Sequence, residues 1–293
     1  MATLPAAEIR RAVRQGLEED LAQGDATTAS IFSSPVPARA EVIAQQQLVV
    51  AGMAAAVQTF LMVDPSLRLS VFKRDGDRAG NGEILLHVEG DGRSILQAER
   101  VALNFLQHLS GIATLTQRFC RAVRGYPARI LDTRKTLPGW RTLQKWAVSL
   151  GGGINHRRSL SDGILIKDNH LALLQRHRRP VERACRLARA HRASELPIIV
   201  EVESLTEVRQ ALGGKPDIIL LDNMAPNQVR RAVALIKKQT QVEVSGGITL
   251  KNVRAMAAAG ADRISIGALT HSAPAATISL VMMLSRSSRH RRT

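Results

Sequence analysis

Aromatic residues are scarce in this 293-residue chain: five Phe, two Trp and one Tyr make up 3% of it. A core drawn from such an alphabet is aliphatic and alanine-rich, which suits strand–helix repeats better than an aromatic-packed β-sandwich. Cysteine is nearly absent as well. Cys120 and Cys185 alone supply neither a disulfide framework nor a zinc site, so the expected setting is a reducing cytoplasm. No apolar run reaches about eighteen residues, which argues against a membrane-spanning helix. The stretch "MATLPAAEIRRAVRQGLEEDL" carries charge throughout and lacks the apolar segment of a signal peptide. Acidic residues are in deficit, 25 against 41 Lys plus Arg, for a formal charge of +16. That excess fits either a polyanionic partner or small anionic substrates. Its densest parts, "RHRRPVERACRLARAHR" (176–192) and "SRSSRHRRT" (285–293), have no interleaved aromatics to stack on bases. Solvated basic faces are therefore favoured over nucleic-acid binding.

Apolar material is plentiful, with hydrophobic residues at 45% of the chain. Ile9, Val13, Leu17 and Leu21 recur every fourth position and predict an amphipathic helix over 5–22, followed by a loop at "GDATT". "ARAEVIAQQQLVVAG", "LRLSVFK" and "GEILLHVEG" read as strands, with a helix over "MAAAVQTFLMV" between the first two. A long helical stretch, Ser94–Arg124, is expected to break near Gly111. To about residue 115 this is an α+β unit. Beyond it the apolar strands "ARILDT", "GILIKD", "PIIVEVES", "DIILLDN", "QVEVS" and "DRISIG" alternate with helical segments. Such alternation means parallel strands joined by crossover helices, closed into a barrel or left open.

The ends of these strands are unusual. The first closes on Asp132 with Arg134 and Lys135 just beyond, the next on Lys167 and Asp168. Later ends carry Glu201 and Glu203, then Asp222, then Ser245 before Gly246 and Gly247, and finally Gly267. One charged strand end is ordinarily just solvated. Six polar or glycine-bearing ends in series point to a site, because parallel β/α proteins build their sites there. "SGGITLKNV", with a helix start capped by Thr249, and "IGAL" offer backbone N–H groups of the kind that bind phosphate. Either glycine turn alone would be only a tight turn. Glu201 and Asp222 suit sugar hydroxyls or a Mg²⁺-bound diphosphate, though either could equally be a salt-bridged strand end. Cations accumulate opposite them: Arg134, Lys135, His156, Arg157 and Lys167, two of them in "GGGINHRRSL". No Ser-His-Asp arrangement, reactive cysteine or metal-ligand cluster is legible. Catalysis would rest on positioning and electrostatic stabilisation.

"DTRKTLPGWR", "GGGINHR", "LIKDNH", "EVES", "LLDN", "EVSGGI" and "IGALTHS" resemble the quinolinate phosphoribosyltransferase family in motif and in order. "EEDLAQGDATT" and "ERVALNFLQHLSGIAT" extend the likeness over nearly the whole chain. The resemblance implies an enzyme of NAD biosynthesis. It would join quinolinate to phosphoribosyl pyrophosphate with Mg²⁺, releasing nicotinate mononucleotide, pyrophosphate and CO₂. It also implies an α/β fold in three parts: an N-terminal α/β sandwich over 1–115, an open, incomplete α/β barrel over 116–272, and a final helix at about 273–286 returning to the first domain. The phosphate site would lie at the C-terminal strand ends. By the same resemblance Arg134, His156 and Arg157 face the two quinolinate carboxylates, with Thr133 beside them. Lys135 and Lys167 neutralise charge, while Glu201 and Asp222 meet the ribose hydroxyls and the metal diphosphate. Ser245, Gly246, Gly247 and Gly267 cradle the 5′-phosphate. Arg100 would enter the active site of the partner subunit in a homodimer.

Departures from the family pattern are small: Ile199 stands where an earlier glutamate is frequent, and Val244 where alanine is common. Three rivals remain at this stage. A paralogue from molybdate-transport clusters shares "DTRKT" but tends to lack the lysine kept here as Lys167. Nicotinate phosphoribosyltransferase is the second, and a nucleic-acid-binding protein exploiting the positive charge is the third, most distant one.

Overall fold

The computed structural model describes residues 4–174, 176–192 and 195–284, so the basic stretch 285–293 lies outside the described residues. The chain divides into two compact units, drawn from Met1–Leu115, Leu137–Gly151 and Ala273–Thr293 on one side and Thr116–Thr136 and Gly152–Ser272 on the other. The segment 137–151 thus groups with the N-terminal residues.

In the first unit, α1 (Ala6–Leu21) buries Ile9, Ala12 and Val13 on one face. The "GDATT" segment is helical, not a loop: Asp25 accepts the Thr28 amide and starts α2 (Ala26–Ile31). Next come β1 (Pro37–Ala44), β2 (Leu48–Val49), α3 (Met53–Val63), β3 (Arg68–Val71), β4 (Arg78–Ala79) and β5 (Ile84–Asp91). In β1, alternate residues Ala38, Ala40, Val42 and Ala44 are buried, the period-two signature of a sheet with one covered face. They pack with Phe60 of α3 and with Leu86 and Val88 of β5. Ile95, Leu103 and Leu106 complete this core from α4 (Gly92–Ala122), and α5 (Arg141–Leu150) follows later in the chain.

Helix α4 runs unbroken for 31 residues, so the expected break at Gly111 is absent. Glycine serves there for a different reason. A Cβ on Gly111 would sit 2.1 Å from the Pro274 carbonyl oxygen, so the position admits no side chain.

The second unit holds β6 (Arg129–Leu131), β7 (Ile164–Ile166), α6 (Asp168–Ala172), α7 (Pro180–His191), β8 (Ile198–Val202), α8 (Leu205–Gly214) and β9 (Ile218–Asp222). It continues with α9 (Pro226–Ile236), β10 (Gln241–Ser245), α10 (Val253–Ala258), β11 (Arg263–Ser265) and α11 (Ala268–His271). The strands form one six-stranded parallel sheet in the order β6-β11-β10-β9-β8-β7. Edge strands β6 and β7 are not paired with each other, so the sheet is an open α/β layer and not a closed barrel. Its strands are almost wholly apolar, with Ile198, Val200, Ile219 and Leu221 buried, as strands covered on both faces require. On α7 the basic segment is partly neutralised: Glu182 takes Arg179 at 2.7 Å and Arg186 at 2.5 Å.

The final segment corrects an expectation. Residues Ile278–Leu284 form a strand, β12, where a helix was expected over 273–286. It joins the first unit's sheet, antiparallel to β1 from Ala44↔Ile278 to Ala38↔Leu284, giving the order β12-β1-β5-β3. A short apolar run reads equally as helix or strand, and the open edge of β1 decides it because its N–H and C=O groups need partners. No described helix is long and apolar enough to cross a membrane.

Replacing Gly111 by Ala should lower unfolding free energy by about 2 kcal/mol or more, because the clashing atom is backbone and cannot rotate away. Urea unfolding followed by circular dichroism checks this, and an unchanged midpoint would show that α4 and Pro274 separate freely.

Candidate active site

Parallel register sets the site. Ile166 pairs with Val200, so the next residues along, Lys167 and Glu201, emerge side by side. Their side chains form an ion pair of 2.5 Å. Asp222 pairs directly with Ser245 on the adjoining strand, and Asn223 Nδ2 donates to Asp222 Oδ2 at 2.7 Å. After β6, Thr133 Oγ1 accepts the Lys135 amide at 3.0 Å, while Thr270 Oγ1 donates to the Lys135 carbonyl at 2.7 Å. Lys135 is thereby fixed at its backbone. Its methylenes lie over Gly267, where a Cβ would come within 3.1 Å of Lys135 Cδ.

The β10 end is built from glycine for steric reasons. Gly246 has φ +83°, and a Cβ there would sit 2.2 Å from Asn223 Oδ1. Gly247 follows with φ +58°. Two successive left-handed residues turn the backbone tightly behind Ser245, an arrangement whose amides suit an anion. The expected helix cap moves: α10 begins at Val253 with Asn252 before it, and Asn252 Oδ1 accepts the Thr249 amide at 2.8 Å.

Cations and one deeply buried carboxylate, Glu243, line the same cavity as this turn, and a second, Asp132, anchors the segment behind them. Asp132, fully buried, accepts the His156 amide on Oδ1 and Asn155 Nδ2 on Oδ2, each at 2.8 Å. That anchors the segment bearing Arg157, whose Nη1 donates to the Gly163 carbonyl at 3.1 Å. Burial, then repulsion from Arg134, holds the Arg157 guanidinium below its ordinary value, with Asp162 acting the other way. Arg134 Nε is buried without a hydrogen-bond partner among the described residues. Two guanidinium groups close enough to repel, one with a buried unmatched donor, are arranged for an external anion.

Sequence reasoning missed Glu243, which is fully buried. Its Oε2 accepts Arg263 Nε at 2.8 Å, and its Oε1 lies 3.2 Å from His156 Nε2, too poorly aligned for a full hydrogen bond. Burial pushes its carboxyl up, but His156 and Arg263 together outweigh this and leave it below the usual 4.5. The available signal was parity: in "QVEVS", Glu243 is two residues before Ser245, on the same face of an otherwise apolar strand.

Every expected site residue except Arg100 lines one cavity of about 550 Å³, together with Glu243, Ser265 and His271. Arg100 is exposed on α4 in the first unit. A larger cavity of about 1330 Å³ opens toward the amino ends of the same strands. The carboxylates around it are committed to the scaffold: Asp217 accepts the Ile198 amide and Asp262 the Val242 amide, both at 2.8 Å. The chemistry therefore belongs to the carboxyl-end cavity. Glu201 and Asp222 are hard oxygen donors of the kind Mg²⁺ takes when most of its ligands are phosphate and water. No group of three or more His, Cys, Asp or Glu that could cage a metal occurs among the described residues. Both cysteines are free, and burial pushes their thiols up to about 11 for Cys120 and about 12 for Cys185, which disfavours the thiolate form a nucleophile needs.

Cations, carboxylates and a glycine turn gathered at the strand ends of one cavity have the chemistry of a group-transfer site for anionic sugars. Comparison with known proteins agrees. The profile of the quinolinate phosphoribosyl transferase C-terminal domain matches residues 112–281, and that of the N-terminal domain residues 25–110. The chain is 38% identical over 281 residues to the probable nicotinate-nucleotide pyrophosphorylase (carboxylating) of Bacillus subtilis, covering 96% of each. It is 42% identical over 272 residues to the nicotinate-nucleotide pyrophosphorylase (carboxylating) of Mycobacterium leprae, covering 90% of this chain and 93% of the other. The crystal structure of NadC from Streptococcus pyogenes matches with a TM-score of 0.89 at 36% identity, covering 97% of this chain and 100% of that one. The chain belongs to the quinolinate phosphoribosyltransferase family.

A carboxylate with a depressed folded-state pKa contributes stability above its unfolded value and loses it as pH falls through the folded one. The stability of the wild type relative to Glu243→Gln should therefore hold steady near neutral pH and decline below about 4.5. Urea midpoints of the two proteins from pH 7 downward test this; a difference that stays constant into acid would mean Glu243 is not held ionised.

Proposed function

We propose that the protein transfers the phosphoribosyl group of phosphoribosyl pyrophosphate to quinolinate, with loss of one carboxylate, in NAD biosynthesis. The observation that carries the reading is the convergence of Arg134, Lys135, Arg157 and Lys167 on one cavity, with Arg134 Nε buried and unmatched. A dicarboxylate supplies two anions to such a wall. A monocarboxylate would leave part of that wall, the buried Arg134 Nε included, without an anionic partner, and an unmatched buried donor costs about 1–3 kcal/mol. The carboxylating name of the bacterial relatives favours quinolinate over nicotinate in the same way.

In this reading Arg134 and Arg157 hold the pyridine dicarboxylate, orienting its ring nitrogen toward the anomeric carbon of the ribose. Glu201 and Asp222 meet the ribose hydroxyls. The turn at Ser245, Gly246 and Gly247, with Gly267 beside it, takes the 5′-phosphate. Bound Mg²⁺, held through the diphosphate with Glu201 and Asp222 nearby, would stabilise charge on the departing pyrophosphate. The C–O bond to pyrophosphate breaks as the N–C bond to ribose forms. Loss of CO₂ from position 2 then leaves its electron pair beside the new pyridinium nitrogen, and a proton replaces the carboxyl group. Lys135 and Lys167 offset the anionic charge gathered in the cavity. The two free thiols, Cys185 buried and Cys120 half-buried, suit a reducing cytoplasm.

Purified protein given quinolinate, phosphoribosyl pyrophosphate and Mg²⁺ should release CO₂ and form nicotinate mononucleotide. Comparable turnover of nicotinate would sink the substrate assignment. Arg134→Lys keeps the charge but loses the planar fork, so quinolinate kcat/KM should fall roughly tenfold or more. The KM for phosphoribosyl pyrophosphate should change less. Unaltered quinolinate kinetics would remove Arg134 from the site.

Arg100, exposed on α4, completes the site of a second subunit in this reading. The assembly is a two-fold homodimer with two composite sites. Arg100→Ala and Lys135→Ala proteins should each be folded and nearly inactive. Mixed under subunit exchange, they should recover about a quarter of wild-type activity, because half the dimers then hold one intact site of two. If exchange is verified by mass and no activity returns, Arg100 does not act across an interface.

A further inference from the structure

Glu243 touches no substrate in the mechanism above, yet it is a fully buried carboxylate bordering the cavity. Removing such a group from water is unfavourable unless its partners hold it. One partner follows from the sheet: Glu243 pairs with Arg263 in the parallel β10–β11 register, and their ion pair is 2.8 Å. Arg263 alone would satisfy one oxygen. The other oxygen is turned to His156, 3.2 Å away.

His156 is constrained from three directions. Its Nδ1 accepts the Arg157 backbone amide at 2.8 Å, which places the ring proton on Nε2, the atom facing Glu243. Its own amide donates to Asp132 at 2.8 Å, so the backbone beneath the ring is pinned as well. Turning the ring over would lose the Arg157 contact and put the Cε1–H edge, in place of the Nε2–H donor, against the carboxylate. The charge of Glu243 opposes that flip. Arg157, next along, carries the guanidinium that lies close enough to Arg134 to be depressed by it.

We infer that Glu243 is a positioning residue for quinolinate: held by Arg263, it fixes the orientation of the His156 ring, and through the ring's contact with the Arg157 amide it sets where the Arg157 guanidinium stands. On this account His156 serves as a strut for its neighbour, and its single N–H edge is turned toward Glu243. The inference rests on the quinolinate reading for its kinetic consequence but not for its spectroscopic one. Glu201 and Asp222 lie on other strands, and the glycine turn, though just beyond Glu243 on β10, is held by the Asn223 amide donating to the Ser245 carbonyl at 2.9 Å, so binding of the second substrate should change little.

The test is Glu243→Gln, which keeps the shape and removes the charge. Quinolinate KM should rise about tenfold while the KM for phosphoribosyl pyrophosphate stays within about twofold, as loss of a charged hydrogen-bonding partner on one side of the site requires. The ¹⁵N imidazole resonances of His156, assigned by its substitution, should show the Nε2–H tautomer in the wild type and a mixture in the variant. An unchanged quinolinate KM in folded Glu243→Gln, or an unchanged tautomer, would overturn the inference. Should Glu243→Gln fail to accumulate as folded protein, Glu243→Asp, which withdraws the charge by one methylene, gives the same two readings. If the wild type does not turn over quinolinate, the functional reading fails, and the tautomer comparison alone decides the positioning role.

Discussion

Parallel strand register is the constraint on which the rest of this molecule depends. In a parallel pair each residue has a defined neighbour, and side chains of one parity emerge on one face. The consequences are concrete: Lys167 meets Glu201, Asp222 meets Ser245, and Glu243 meets Arg263. A one-residue slip of β10 would send Glu243 and Ser245 to the opposite face and bring Val242 and Val244 into the site. The apolar strand interiors prevent this, because Val242 and Val244 are buried where they stand. Packing of the unreactive residues therefore holds the reactive ones.

The electrostatic design follows from that rigidity. Arg134 stands close enough to Arg157 to add to the effect of burial in depressing its proton affinity, an unfavourable pairing in the absence of a ligand. Such repulsion persists only because Asp132 holds the Arg157 segment and the Thr133 and Thr270 hydroxyls hold Lys135. A bound dianion relieves it. An anion bound there, as proposed, would draw part of its affinity from repulsion already present in the fold.

Much of this was legible in the sequence, and the remainder was hidden for identifiable reasons. Every strand of the second unit stands where its apolar run predicted, since a run bounded by Gly, Pro or Asp has little alternative. The site cations and acids could be named because strand ends are where polar residues interrupt apolar ones. Glu243 escaped notice because it sits inside a strand, where a lone acid looks like an outward-facing residue until the register shows Arg263 beside it. Gly111 misled in the other direction: glycine suggested a break, whereas the helix continues and the missing side chain makes room for Pro274. The helix expected over 273–286 came from the family resemblance, and the short apolar run at 278–284 carries no helix-or-strand signal of its own to correct it. Only the unpaired edge of β1, far away in sequence, decides it.

That last strand ties the two extremities of the chain into one sheet, pairing Ala38 with Leu284. During synthesis β1 therefore leaves the ribosome long before its neighbour exists. At about 5–20 residues per second, some ten to fifty seconds pass before the partner emerges. Throughout that interval β1 presents an open edge able to capture a strand from another nascent chain. The entire second unit is made and can fold in the meantime, so the first unit, begun earliest, is the last to be completed. A nascent chain halted between residues 273 and 277 carries the parallel sheet of the second unit complete and its N-terminal sheet one strand short.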